Sequence, residues 1–455
     1  MKTYLNFIKS KVHSTQNSGL SKFSINENMF DFQKYITEIL IKKGRGAGFL
    51  DTGTGKTLIE LCIAHNYAIQ TNKRVLIITP LAVAFQFIKE AEKFGISDIA
   101  YSKDGALKTK IVVCNYERLS KFSSKDFICV ILDESSILKN SEGALRTDII
   151  FFLKKVKYRY LFTATPSPND FEELGNSSEA LGNLGYTDML NKFFSNSENT
   201  IKPQDIGIKW ILKTHAYKYF FQWISTWAIA MKKPSNLGFS DKGFELPNLI
   251  ENDNYIKKYT NWNIGGQPTF FGIQAKTMSE VRDEQRKTIV ERCELAYELA
   301  SKHKISVYWC NRINESSLLH KLDKDSVELK GSMDIDKKES ILLDFAKGNI
   351  SKLITKSTIT GFGLNWQHCA HTIYFPTFSY EQYYQAIRRF YRYGQVNDVT
   401  VDRVLSNGMN RVLIAHKEKA KKAVELFQQL QLAINSEYKI DFSKFTEDVN
   451  KPKFL

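Results

Sequence analysis

Two tandem doubly wound lobes, each a parallel β-sheet covered by helices on both faces, are the fold this sequence predicts. Three observations predict it. Short apolar runs alternate with helical periodicity twice along the chain. A Gly-rich turn, Asp51-Thr52-Gly53-Thr54-Gly55-Lys56-Thr57, separates an apolar run from an apolar helical pattern. The carboxylate pair Asp133-Glu134 closes the most apolar run of the first half. Continuous apolar strands between helices are what a parallel sheet buried on both faces requires.

In chain order, Ala47-Gly48-Phe49-Leu50 reads as the strand entering the Gly-rich turn, and Leu58, Ile59, Leu61 and Cys62 as the apolar side of the helix leaving it. Strands follow at Arg74–Thr79, Lys110–Cys114, Phe127–Leu132 and Arg159–Thr163. A second alternation starts at Ile305–Trp309 and continues through Lys352–Thr355, His371–Phe375 and Val399–Val401. Between the two, the pattern lapses into an aromatic-rich helical stretch with Phe220, Trp223 and Trp227, then a Gly/Pro/Asn-containing segment from Pro234 to Pro247. Aromatics spaced by three and four read as packing, and the segment as packing plus linker. Asn410 to Ile434 reads as a helix with Asn410 at its cap and Val412, Ala415, Ala423, Leu426 and Leu430 on an apolar side; it braces the second lobe or docks a protein partner, for which the insert is the other candidate surface. The expected organisation is an N-terminal extension at 1–28, a first lobe at 29–195, a helical insert and linker at 196–285, a second lobe at 286–408 and a C-terminal helix and tail at 409–455.

A chain of 455 residues exceeds what one hydrophobic core serves, and 43% apolar residues suffice for more than one. Lys and Arg number 64 against 49 Asp and Glu, a net charge of +15 that favours a polyanionic partner, although a Lys- and Asn-rich genome bias gives the same balance. The six cysteines stand singly in apolar segments without a C-x-x-C pair, which fits a reducing, cytoplasmic setting and excludes a zinc ribbon. No apolar run is long enough for a membrane span, so no membrane partner is expected.

The Gly-rich turn carries the chemistry. Bare backbone N–H groups at Thr52, Gly53, Thr54 and Gly55 wrap a phosphate, Lys56 neutralises its charge, and the Thr57 hydroxyl ligates Mg²⁺, so a nucleoside triphosphate is the expected ligand. The general phosphate-loop pattern asks for Gly where this chain has Leu50. Asp133 and Glu134 emerge at a strand end beside the loop, where Asp133 holds Mg²⁺ through water and Glu134 orients and deprotonates the attacking water. Further along, Gln385, Arg389 and Arg392 recur at spacings of four and three and are expected on one helix face, either a nucleic-acid-facing surface or a set of groups reaching a nucleotide. Thr79, Asn115 and Ser332 read equally as phosphate-backbone contacts or as turn and cap residues, and Ser357, Thr358 and Asn365 around Gly361 and Gly363 offer donors to phosphate or ribose.

The order of these motifs resembles the superfamily-two helicase core, specifically its Swi/Snf-like branch of DNA translocases, over about residues 30 to 405. The tight Gly53-x-Gly55-Lys56-Thr57 form is similar to that family's loop, and Gln33 lies where its adenine-recognising Gln is found. Thr79-Pro80-Leu81 and Asn115-Tyr116-Glu117 resemble its first-lobe nucleic-acid-contacting turns. Asp133-Glu134-Ser135-Ser136 resembles its DExx box with an unusual Ser-Ser, and Thr163-Ala164-Thr165-Pro166 its lobe-coupling motif. Leu329–Ser332, Ser357–Asn365 and Gln385–Gln395 match later motifs in order.

The resemblance implies two RecA-like lobes, ATP and Mg²⁺ as ligands with Gly363 near the nucleotide, catalysis by Lys56, Asp133, Glu134, Gln385, Arg389 and Arg392, and Arg392 as arginine finger with Arg388 as a competitor for the role of Arg389. It implies double-stranded DNA as track. The aromatic segment His215–Phe239 also resembles compact bacteriophage-encoded helicases, which places the chain in the cytoplasm of a bacterial host. Competing readings are an RNA helicase or RNA-stimulated ATPase, a non-hydrolysing nucleic-acid-binding scaffold, and the motor subunit of a restriction or recombination complex. The intact Lys56, Asp133, Glu134 and Arg392 argue against a degenerate scaffold.

Overall fold

The computed structural model describes residues 17–80, 83–139, 143–167, 170–196, 210–257, 263–264, 267–268, 278–360 and 365–437. The chain divides into two units: residues 1–244 with 422–455, and residues 245–421.

The first unit is built on β1 (Arg45–Leu50), β2 (Arg74–Thr79), β3 (Ile99–Tyr101), β4 (Ile111–Asn115), β5 (Phe127–Asp133), β6 (Tyr158–Thr163) and, after a small antiparallel pair β7 (Phe194–Asn196) and β8 (Trp210–Leu212), β9 (Ala228–Met231). Seven of these form one parallel sheet in the order β3-β4-β2-β5-β6-β1-β9. Its central strands are buried along almost their whole length, as crossover helices on both faces demand. The fold class read from the sequence is the one observed.

The second unit holds β10 (Leu249–Tyr255), a short hairpin β11 (Asn263–Ile264) and β12 (Gln267–Pro268), then β13 (Ser306–Trp309), β14 (Ser326–Glu328), β15 (Lys352–Thr355), β16 (His371–Tyr374) and β17 (Val399–Leu405). Six form a parallel sheet in the order β10-β17-β16-β13-β15-β14. Alternate residues feed opposite cores: Val307, Trp309, Leu353 and Tyr374 join one cluster around Trp366 and Phe390, while Tyr308, Ile354 and Ile373 join the other around Cys293 and Leu319. This is a doubly wound sheet with both faces covered.

Within the span 196–285 expected as a helical insert and linker, the described residues at 228–231 and 249–255 are strands of the two sheets. The aromatic helix Tyr217–Ser225 packs Phe220 and Trp223 on Phe193, with Trp223 on Trp227 and Trp227 on Phe49, and residues 228–231 become β9 against β1. Farther on, β10 is the edge strand of the second sheet. Neither strand announces itself in sequence: β9 is only four residues long, and β10 reads Leu-Ile-Glu-Asn-Asp-Asn-Tyr, largely exposed and polar.

The C-terminal helix spans Asn410–Glu437. Its first part belongs to the second unit, where Val412 and Leu413 pack with Val281, Leu405 and Met409. From residue 422 it belongs to the first unit, where Lys422 pairs with Asp170 at 2.7 Å and Phe427 lies under the ammonium of Lys232. All six cysteines are free and buried, and among the described residues no helix is long and apolar enough to cross a membrane.

Candidate active site

The C-terminal ends of β1, β6, β5 and β2 lie side by side, bringing together residues far apart in sequence: Phe49 is level with Thr163, Phe162 with Asp133, and Ile78 with Leu132. That edge of a parallel sheet is where open α/β folds bind ligands. The loop after β1 turns sharply through Gly53 at φ 82° and Gly55 at φ 81°, and the helix Lys56–Thr71 begins at once. At position 55 the requirement for Gly is double, because a Cβ would also lie 2.2 Å from Gln33 Nε2. That amide donates to the Thr54 carbonyl at 2.9 Å, so Gln33 buttresses the loop directly, while its Oε1 accepts from the Phe30 N–H. Thr54 is fully buried and caps the turn through Asp51 O at 2.7 Å. The Lys56 ammonium rests on the carbonyls of Leu50 at 2.9 Å and Asp51 at 3.3 Å, a neutral cradle from which a phosphate can draw it.

Asp133 is buried at the end of β5 and accepts from the Thr79 hydroxyl at 2.8 Å. Burial, reinforced by neighbouring Glu134, pushes its carboxyl up to about 6 against the opposing pull of Thr79 and Lys56. Glu134 adopts a left-handed backbone at φ 59°, rare for a residue with a side chain and a mark of functional constraint. Its Oε1 accepts from Thr163 Oγ1 at 2.6 Å and Ser136 Oγ at 2.8 Å, and Thr163 Oγ1 in turn accepts the Thr165 N–H at 3.0 Å. Thr163 directly, and Thr165 through its backbone N–H, are thereby tied to the second carboxylate.

Sequence reading missed Glu60. It is completely buried one helical turn beyond Lys56, and both carboxylate oxygens lack a hydrogen-bond partner among the described residues. Burial, with added repulsion from Asp133 and Glu134, drives its carboxyl far above the usual range, with Lys56 opposing. The available signal was its spacing of four from Lys56, which puts the two on one helix face. Asp133 and Glu134 act on Glu60 through space, and the carboxylate of Asp133 at the strand end is the kind of oxygen donor that fits a hard divalent cation.

Three residues expected to touch nucleic acid face inward instead. Thr79 is fully buried on Asp133. Tyr116 is buried, its hydroxyl donating to the Asp133 carbonyl at 2.6 Å, and buried Asn115 is held between Tyr101 and Glu117. The physical reason is the depth of the strand ends: side chains there pack into the carboxylate cluster. Pro80 is half-buried, and in the second unit Ser332, Thr358 and Asn365 are exposed while Ser357 is buried. Gly363, with Gly361, lies outside the described residues.

Gln385, Arg389 and Arg392 do not share a helix face. The helix Tyr380–Ile387 ends before either Arg, and the chain continues through tight turns to Gly394 at φ 91°. Phe390 causes the departure: it is drawn completely into the core against Trp366 and Trp309. Arg389 is buried with its guanidinium 5.8 Å from the Trp366 ring centre, and Arg392 is half-buried beyond it. Arg388 is held by Tyr391 O at 3.0 Å and the Tyr384 hydroxyl at 3.3 Å, its guanidinium 5.3 Å and 5.4 Å from the ring centres of Tyr384 and Tyr391. Gln385 Nε2 reaches Glu381 at 3.3 Å.

Residues 30–174 match the DEAD/DEAH box helicase family and residues 285–394 the helicase conserved C-terminal domain. With two RecA-like lobes, these paired domains define a superfamily-two helicase-type enzyme that binds and hydrolyses ATP. Among curated relatives, the SWI/SNF-related matrix-associated actin-dependent regulator of chromatin subfamily A-like protein 1 of Xenopus tropicalis is 25% identical over 161 residues, 33% of this chain and 17% of the frog protein. Its Xenopus laevis counterpart is 26% identical over 158 residues, 32% of this chain and 16% of that protein, so the similarity spans about a sixth of these relatives. Among solved structures, a variant of S. cerevisiae Dbp5 bound to RNA and ADP BeF3 matches with TM-score 0.53 at 12% identity, covering 91% of this chain and all of that one, a likeness of fold. The Sulfolobus solfataricus SWI2/SNF2 ATPase core in complex with dsDNA matches with TM-score 0.41 at 17% identity, covering 94% and 98% of the two chains.

Proposed function

We propose that the chain is a nucleic-acid-dependent ATPase that couples hydrolysis to movement along, or remodelling of, duplex DNA. One observation carries the reading: Glu134, in a left-handed backbone beside the phosphate loop, is bonded at 2.6 Å to Thr163 of the sequence that resembles a lobe-coupling motif. A base whose carboxylate answers to that motif is suited to hydrolysis that depends on a conformational cycle.

In this reading Lys56 and the loop N–H groups bind the β- and γ-phosphates and Gln33 supports the loop near the base. Thr57 and Asp133 would hold Mg²⁺, which would supply charge neutralisation to the developing phosphate charge. Glu134 orients and deprotonates water, and Arg389 and Arg392 supply guanidinium charge for the transferring phosphoryl group. The net charge of +15 supports a polyanionic track, and the similarity to the Swi/Snf-related relatives favours DNA as that track. The aromatic segment at 215–239 and the six buried, unpaired cysteines support a phage-type protein acting in a reducing cytoplasm.

The test is ATP hydrolysis at low salt with no nucleic acid, duplex DNA, single-stranded DNA or RNA, alongside Lys56→Ala and Glu134→Gln. Stimulation by duplex that both variants lose supports the reading. Stimulation by RNA alone replaces it with an RNA-dependent ATPase, and a complete lack of hydrolysis overturns it.

A further inference from the structure

The opposite edge of the first sheet carries a second feature. At the N-terminal ends of β3, β4, β2 and β5, four neighbours in the sheet, lies an open concavity of 730 Å³. Lys73, Arg74, Lys108, Lys110 and Lys125 line it, with Asp98 and Asp126 the acidic members. The excess of three positive charges is not cancelled from within. Among the described residues the Arg74 side chain reaches only the Leu107 carbonyl at 3.3 Å, and that of Lys110 only the amide oxygen of Asn72 at 2.6 Å. Asp98 is engaged by the Lys110 backbone N–H at 3.1 Å, and among the described residues Lys73, Lys108 and Lys125 form no ion pair. All five cationic side chains are exposed.

The groove is remote from the candidate active site. Arg74 and Thr79 stand at opposite ends of β2, and five residue steps of an extended strand span about 17 Å. Four strands abreast cover about 14 Å, the axial rise of about four nucleotides.

We propose that this groove is a second phosphate track, gripping the backbone of a nucleic acid strand away from the nucleotide-binding edge. The proposal rests on the nucleic-acid-dependent reading above. The groove offers flexible ammonium groups, suited to sequence-independent contact with phosphodiesters. It adds affinity without touching hydrolysis.

The experiment compares the full-length protein with the triple variant Lys73→Gln, Lys108→Gln, Lys125→Gln and with a control triple of equal charge change on exposed lysines of the second unit, Lys304→Gln, Lys324→Gln, Lys347→Gln. Binding of labelled duplex DNA, single-stranded DNA and RNA is followed by fluorescence anisotropy from 50 to 200 mM salt, and basal ATP hydrolysis is measured without nucleic acid. The groove variant should bind at least about tenfold more weakly, its log–log salt slope shallower by about 2.7 on duplex or about 2.1 on a single strand, with basal hydrolysis unchanged. The arm with the larger change identifies the strand type. A slope equal to that of the control triple overturns the groove and leaves the main reading intact, whereas a wild-type protein that binds none of the three polymers at low salt overturns both.

Discussion

Asp133→Asn should make the metal-free protein more stable while abolishing hydrolysis. The carboxyl ordinarily loses its proton near 3.8, but in the folded chain burial and Glu134 hold it at about 6. Between those values the folded state keeps a proton that the unfolded chain has released, so stability falls as pH rises through the window, and the deficit is complete above about 6. Two units of displacement amount to about 3 kcal/mol at pH 7.5, without divalent cation. Asn is neutral and of the same shape, and its carbonyl oxygen still accepts the Thr79 hydroxyl now 2.8 Å from the carboxylate. The variant should therefore melt about 5 °C higher than the parent at pH 7.5 in a chelator, for a unit of this size. The gain should fall to about 1 °C at pH 4, where the folded carboxyl is protonated and only part of the unfolded population has released its proton, and at pH 7.5 it should shrink in the parent's favour when Mg²⁺ is added. Thermal melts from pH 4 to 8, with and without chelator, decide it. A variant that melts at or below the parent at pH 7.5, or keeps the same gain at pH 4, would refute the account of a buried, mutually repelling carboxylate pair.

Thr163→Val removes the hydroxyl that fixes Glu134 at 2.6 Å and accepts the Thr165 N–H at 3.0 Å. A loss of about 1.4 kcal/mol of positioning corresponds to a kcat about tenfold lower; steady-state kinetics should show this with KM little changed. Arg292→Met strands the Glu315 charge from a pair 2.7 Å apart in which both side chains are 1% exposed, costing about 3–5 kcal/mol in denaturant unfolding, most of it recovered by adding Glu315→Met. For Asp402, burial, which alone would raise its pKa, is outweighed by hydrogen bonds from His371, Asn252 and Asn254, leaving it at about 2. Its stabilising contribution is present above about pH 4 and lost as pH falls through about 2; Asp402→Asn should lower stability at pH 7 and flatten the acid limb of a circular-dichroism titration.

Strands with strong apolar runs were legible almost to the residue: Arg74–Thr79 and Lys352–Thr355 have the boundaries their patterns indicate. The phosphate loop was legible because Gly53 and Gly55 do what no other residue does at φ near 80°. Edge strands were not, since β10 is polar and β9 is a four-residue run after an aromatic helix, and pairing partners 150 or more residues away leave no local trace. The inward turn of Thr79, Asn115 and Tyr116 was hidden for a related reason: a hydroxyl or amide at a strand end reads the same whether it meets solvent or a buried carboxylate. Arg389 and Arg392 show a local rule overridden by tertiary packing, for helical spacing held only until Phe390 was claimed by Trp366.

The strand bearing the phosphate loop is flanked by β6 on one side and by β9 on the other. Ala47 meets Ala228, so one flank of β1 is completed only by residues that leave the ribosome some 180 positions later. Until then a buried-type strand offers an open row of backbone donors and acceptors, the kind of edge that recruits other chains. A nascent or truncated chain ending near residue 174, where the helicase-family match stops, would hold every first-lobe residue of the proposed nucleotide site and still lack the strand that flanks β1. Vectorial synthesis therefore makes this protein's most chemically important strand the last part of its sheet to be closed, and its yield in a cell should depend on how well that interval is guarded.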